Sequence, residues 1–300
     1  MTEWRMAHSP IIFDRKLLRA RRRRAERLGA SDFLIERVAE DVAERLAVVL
    51  RQFEVAVDLG TPGDAVRRAL MASDKVGAIV SASAWARGPL AVVADEEALP
   101  FRDGAIDLVV SALSLQFAND LPGVLVQIRR ALRPDGLLLA ALVGGDTLTE
   151  LRQAFAQAEA EVEDGISPRV APFADLRELG ALLQRAGFAL PVTDVDRISV
   201  RYASPMALMQ DLRRMGATNA LTERRRKPLR RATLMRMIEI YGERFADADG
   251  RVRATFEIVW LSGWAPHDSQ QQPLKPGSAQ QRLADALGAK EQSAGEKAKR

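Results

Sequence analysis

The 300-residue chain has no cysteine, two histidines, two tyrosines and only 5% aromatic residues. The missing cysteine excludes a disulfide framework, a thiolate nucleophile and thiolate-ligated metal centres. His8 and His267 lie near opposite ends of the sequence, so a histidine-rich zinc site is not expected and no metal ligands are assigned. No apolar run approaches the roughly 20 residues that a membrane-spanning helix needs. The N-terminus carries arginines without the apolar segment of a secretory signal, and the expected compartment is therefore the cytoplasm.

Arginine is abundant and unevenly placed. Net charge is +4, yet residues 1–30 carry nine Lys or Arg against three Asp or Glu, and residues 201–231 carry nine against two. Basic blocks of this kind attract phosphates, anionic headgroups or acidic protein surfaces; a solvated helix face is the plainer alternative. The runs Arg21-Arg22-Arg23-Arg24 and Arg224-Arg225-Arg226-Lys227 lack the interleaved aromatics on which bases stack. A protein partner is expected rather than nucleic acid.

Apolar residues, 47% of the chain, are enough for a substantial core. Phe33, Leu34, Val38, Val42, Leu46 and Val49 recur at helical spacing after Ser31-Asp32. Short apolar runs follow at Phe53–Asp58, Val76–Val80, Leu90–Ala94, Ile106–Val110 and Leu137–Val143, with helices expected between them. This order predicts an α/β fold with a parallel, doubly wound sheet. Helical patterns at Leu148–Val162 and Phe173–Ala186 precede a sixth strand, Val195–Tyr202, and a seventh, Arg253–Ser262. The expected organisation is a helical arm over 1–50, a seven-stranded domain over 51–264 with a basic helical insertion at 203–251 before the last strand, and a mobile tail over 265–300.

Two motifs carry chemistry. Val92-Val93-Ala94-Asp95-Glu96-Glu97-Ala98-Leu99-Pro100-Phe101 joins an apolar strand to an acidic turn just before the fourth strand, and Asp58-Leu59-Gly60-Thr61-Pro62-Gly63-Asp64 follows the first strand. Together with Leu132-Arg133-Pro134-Asp135-Gly136 they resemble class I S-adenosylmethionine (SAM) methyltransferases over about residues 50–200. The resemblance implies a Rossmann-like sheet whose seventh strand lies antiparallel beside the fifth, and SAM as cofactor. It assigns cofactor contacts to Asp58, Gly60, Gly63, Ser81, Asp95, Glu96 and Ser111. Against the family's D/E-x-G-x-G-x-G loop, Pro62 and Asp64 replace two glycines and Gly63 is out of phase. Proline removes an N–H and fixes φ. Where the second strand should end in a ribose-binding acid, the chain has Ser81-Ala82-Ser83.

Gln116 and Asn119, after the fourth strand, together with Arg224 and Arg225 of the insertion, are the expected substrate contacts. Methyl transfer depends on positioning more than on a fixed set of catalytic groups, and no catalytic residue is assigned. A narrower resemblance covers nearly the whole chain. Ile12-Phe13-Asp14-Arg15, Asp32-Phe33-Leu34 and the segment Gly263 to Ala279 are similar to a subfamily related to mitochondrial complex I assembly factors. The central part is also similar to malonyl-carrier-protein methyltransferases of biotin synthesis. The first similarity implies a protein substrate, a respiratory complex I subunit, modified on an arginine by hydroxylation rather than methylation. Two other readings stand beside it: a SAM-dependent methyltransferase for a small molecule or carrier-bound acid, and a cofactor-free protein-binding scaffold.

Overall fold

The apolar runs line up as one seven-stranded sheet in the computed structural model, which describes residues 11–271 except 87, 164 and 174, together with residue 288. Its strands are β1 (Phe53–Leu59), β2 (Val76–Ser83), β3 (Ala91–Val93), β4 (Ile106–Ala112), β5 (Leu132–Val143), β6 (Ala189–Tyr202) and β7 (Val252–Trp264). They are ordered β3-β2-β1-β4-β5-β7-β6, and β7 runs antiparallel to both its neighbours. The helices are α1 (Arg15–Arg27), α2 (Phe33–Ala47), α3 (Ala65–Ala72), α4 (Leu121–Ala131), α5 (Thr149–Val162), α6 (Leu176–Arg185), α7 (Pro205–Arg214) and α8 (Arg231–Phe245).

Both faces of the sheet are covered, which is why its central strands read as unbroken apolar runs. Alternate residues of β5 divide between two cores: Leu137, Leu139 and Ala141 pack with α2, α3, α5 and α8, while Leu138, Ala140 and Leu142 pack with α4 and α6. The largest buried side chain, Trp260 of β7, belongs to the first of these. Contacts divide the chain into residues 1–266, which include the arm, and residues 267–300. In the second unit His267 Nδ1 lies 2.7 Å from Ser269 Oγ. The expected tail and the end of the Gly263–Ala279 segment fall outside the described residues from 272 onward, residue 288 apart. Among the described residues no helix is long and apolar enough to cross a membrane.

Two expectations are corrected. Among the described residues no helix separates β2 from β3, which works because β3 is only three residues long and pairs with the far end of β2. Pro134-Asp135-Gly136 does not end a helix. Helix α4 stops at Ala131, and the tripeptide is a bulge inside β5 that shifts register between Ile106 and Leu108. Asp135 adopts φ +65 there, an uncommon conformation for a residue with a Cβ, and is held by an ion pair with Arg51.

Candidate functional site

Strand order reverses between β1 and β4, and in open α/β sheets the crevice at that reversal, beyond the strands' carboxyl ends, is where ligands bind. Asp58, near the end of β1, is buried there, with Oδ1 making no hydrogen bond. Burial pushes its pKa up to about 7, against an opposing hydrogen bond from Thr61. Thr61 Oγ1 in turn accepts from the Ala112 N–H at 3.1 Å, fastening the loop to β4. Gly60 and Gly63 take φ of +69 and +74. A Cβ on Gly60 would come within 2.6 Å of both Glu96 Oε1 and Ser114 Oγ, whereas one on Gly63 would meet open space. Gly60→Ala is therefore expected to lower the melting temperature markedly and Gly63→Ala to cost only its backbone strain, about 1 kcal/mol; thermal melts of the two variants compare them directly.

The acidic turn is clamped by the arm. Asp14 caps α1 by accepting from the Leu17 N–H at 2.9 Å, and Arg15, Arg19 and Arg22 then share one helix face by their spacing. Arg15 pairs with Asp95, Glu96 and Glu97, and Arg19 pairs with Asp95 at 2.6 Å. Burial works against ionised Asp95, yet the Glu97 N–H, Arg15 and Arg19 outweigh it and hold the carboxyl below its usual range. Arg22 lies farther in: its Nη1 is 3.4 Å from the Gly60 carbonyl and its Nη2 is 3.4 Å from the Leu113 carbonyl, with Ser114 Oγ at 3.4 Å from each nitrogen.

Several expected contacts have other duties. Asn119, expected at the substrate, anchors the arm in this structure: Oδ1 accepts from the N–H groups of Ile12 and Phe13 at 2.9 and 2.8 Å. Arg224 pairs with Asp14 at 3.3 Å and Arg225 with Glu163 at 2.6 Å. The two basic blocks thus contribute residues that fasten the arm and insertion onto the domain. Ser111, 1% exposed, donates to the Leu59 carbonyl and ties β4 to β1. Ser81 is buried in β2, its N–H donating to Leu90. Asp95 and Glu96 do sit at the crevice, bound to the arm. Arg15, Arg19, Arg22 and Ser114 were not among the expected site residues, although Arg15 and Arg22 fall within quoted runs; the available signal was three arginines at helical spacing next to a capping aspartate.

Beside the glycine loop opens a cavity of about 370 Å³. Pro62, Gly63, Gln116, Phe117, Phe173 and Met215 are among the residues lining it. Gln116 Oε1 is buried and without a hydrogen-bond partner. A second cleft, between the ends of β1, β2 and β3, holds only about 10 Å³, and Arg22 and Pro62 line both.

Residues 55–140 match the model of the methyltransferase domain. The arginine-hydroxylase NDUFAF5 of Danio rerio, a mitochondrial protein, is 38% identical over 286 residues, covering 91% of this chain and 89% of that one. This chain belongs to the NDUFAF5 family. It is a class I SAM methyltransferase in fold, and enzymes of both kinds are among its relatives. The malonyl-[acyl-carrier protein] O-methyltransferase of Laribacter hongkongensis is 42% identical over 64% of this chain and 62% of its own length. Among solved structures, the YcgJ protein of Bacillus subtilis superposes with a TM-score of 0.51 over 76% of this chain and 98% of that one, at 13% identity, which is a likeness of fold. The cytoplasmic expectation is overturned by the family match, since the NDUFAF5 relative is mitochondrial; the lack of a secretory segment had no power to exclude that compartment.

SAM is the cofactor of this domain. Two features here fit it: the unpartnered Asp58 oxygen, which a cationic amine would satisfy, and the left-handed turn at Gly60, which carries no Cβ to keep a ligand from the backbone. The missing ribose acid at Ser81 and the 10 Å³ left beside Arg22 mean that arm side chains must move before a nucleoside can enter.

Proposed function

We propose that this chain is a SAM-binding modifier of a protein arginine, acting on a respiratory complex I subunit, with Asp58, Gly60, Gly63, Asp95 and Glu96 forming the cofactor side. Gln116 faces the substrate. The observation that carries this reading is the 370 Å³ cavity abutting the glycine loop through Pro62 and Gly63. It is wide enough for a long side chain and walled by aromatic rings that favour cations. SAM would supply an activated methyl group, and the chain's own task is to orient the acceptor and keep water out. The NDUFAF5 name supports arginine as the acceptor and hydroxylation as the family outcome.

The test incubates the purified protein and SAM with isolated complex I subunits and maps the products by mass spectrometry. The expected result is a single arginine of one subunit gaining a methyl group from SAM or, where dioxygen and a two-electron reductant are also supplied, one oxygen atom, with the other oxygen leaving as water. SAM bound in calorimetry but every arginine unchanged, with methyl ester appearing on a malonylated carrier protein, would replace this reading by carboxylate methylation.

A further inference from the structure

Two arginine-rich segments far apart in the sequence lie side by side in the fold. Residues 11–31 carry eight Lys or Arg against two carboxylates, and residues 213–231 carry eight against one. Main-chain contacts zip them together in opposite directions. The Thr222 N–H donates to the Ile12 carbonyl at 2.9 Å, the Asp14 N–H to that of Ala220 at 2.8 Å and the Ser31 N–H to that of Arg214 at 3.3 Å. Arg214 Nε donates to the Gly29 carbonyl at 2.7 Å, and the Arg21 guanidinium donates to the Asn219 carbonyl. Helix α7 packs against α1 as well.

Part of this charge is used within the chain. Arg15 and Arg19 hold the acidic turn, Arg224 holds Asp14 and Arg225 holds Glu163. Arg24, Arg27, Arg226 and Lys227 are exposed, and among the described residues their side chains make no ion pair or hydrogen bond. They are nevertheless held close to other cations. Asp14 feels both Arg224 and Arg226, and Arg21 is held below its ordinary range by burial and by the charges of Arg224 and Arg24. Like charges gathered this way repel one another and cost stability, and an anionic ligand would relieve that cost. We infer that the paired segments form a docking ridge for an acidic stretch of polypeptide beside the arginine to be modified; this rests on the arginine-modifying reading above.

The ridge adjoins the cavity, since Ser31, Arg214, Asn219 and Ala220 take part in the zipper and also line that cavity. A substrate chain lying on the ridge therefore passes the site where its side chain would enter. A membrane surface fits less well, because Leu18 and Ala25, on the apolar side of α1, are buried. RNA also fits less well. Bases stack on accessible rings, and the single aromatic residue of the two segments, Phe13, is buried.

Fluorescence anisotropy with a labelled peptide of glutamate and alanine around one central arginine tests the ridge. Replacing Arg24, Arg27, Arg226 and Lys227 together by Gln is expected to weaken binding about tenfold or more at low salt, and to flatten its salt dependence. Melting temperature and SAM affinity should stay as in the parent. The two pairs made separately, Arg24 with Arg27 and Arg226 with Lys227, should each give part of the loss and carry the test if the quadruple variant does not fold. Replacing Lys75, Arg102, Arg177 and Arg185 by Gln removes the same charge outside the ridge and should leave peptide binding unchanged. No binding to the parent, unchanged affinity in the ridge variants, or an equal loss in the control would overturn the assignment. Tighter ridge-dependent binding of single-stranded RNA or of phosphatidylglycerol vesicles would overturn it too, in favour of those partners. If no arginine of any complex I subunit is modified while peptide binding still depends on the ridge, the reaction fails and the ridge stands. If the ridge variant modifies the subunit with an unchanged KM, the ridge fails and the reaction stands.

Discussion

Replacing Asp58 by Asn is expected to raise the melting temperature at pH 8 and, in the same protein, to weaken SAM binding. The folded chain holds this carboxyl at a pKa of about 7, against an ordinary value of 3.8, because burial disfavours the charged form. Between roughly pH 4 and pH 7 the folded state therefore keeps a proton that the unfolded state has released. Stability falls as pH rises across that window and levels off above it. A shift of about three pH units corresponds to a ceiling of about 4 kcal/mol. Asparagine cannot ionise and removes that penalty, so the gain in melting temperature should be several degrees at pH 8 and should vanish near pH 4. The carboxylate is nevertheless the group that would meet the cofactor's ammonium, and a charged hydrogen bond is worth about 1.5–3 kcal/mol, or roughly a tenfold to hundredfold loss in affinity. Melts across pH and SAM titrations by calorimetry read the two effects separately. A variant less stable at pH 8, or one with unchanged SAM affinity, would show that the orphaned oxygen serves neither purpose.

Glu159→Ala is expected to be among the most destabilising changes outside the apolar core. Glu159 is fully buried on α5, where it accepts from the Ser167 N–H at 2.6 Å, from the Ser167 hydroxyl and from the Arg169 Nε at 2.8 Å. Burial opposes its charge, but these donors outweigh it and hold its pKa below the usual value. Alanine would leave Arg169 as a largely buried, unpaired cation packed over Phe155 at 5.5 Å. Breaking such a pair costs about 3–5 kcal/mol, on the order of 10 °C in a domain of this size. The contribution is present above the ordinary Glu pKa and is lost as pH falls, so the gap between variant and parent should narrow in acid. Arg169, Val170 and Ala171 also line the large cavity, so substrate capture should weaken together with stability. Equal melting temperatures at pH 7 would remove Glu159 from the framework of the site.

The acidic turn Asp95-Glu96-Glu97 was legible because a strand end followed by carboxylates and Leu-Pro-Phe is a local signal. The glycine loop was legible for the same reason, including its departures at Pro62 and Asp64. The position of Asn119 after β4 suits a substrate contact, and only the folded arm, bringing Ile12 and Phe13 to its side chain, shows what it holds within this chain. The same holds for Arg224 and Arg225: a run of charge advertises a partner but does not show that Asp14 and Glu163 of the same chain pair with it.

By itself the sequence determined the α/β class, the strand sequence with its late return, the two motifs at the crevice and the family. All of these rest on periodicity and short spacing, which local sterics and burial impose on neighbouring residues. Tertiary structure alone decided that the arm's arginines close over the acidic turn, that no helix separates β2 from β3 among the described residues, that Pro134-Asp135-Gly136 bends a strand rather than ending a helix, and that Arg22 occupies the crevice. Each depends on groups many residues apart being brought within ångströms, and burial then gives such pairings an energetic weight that no local pattern encodes.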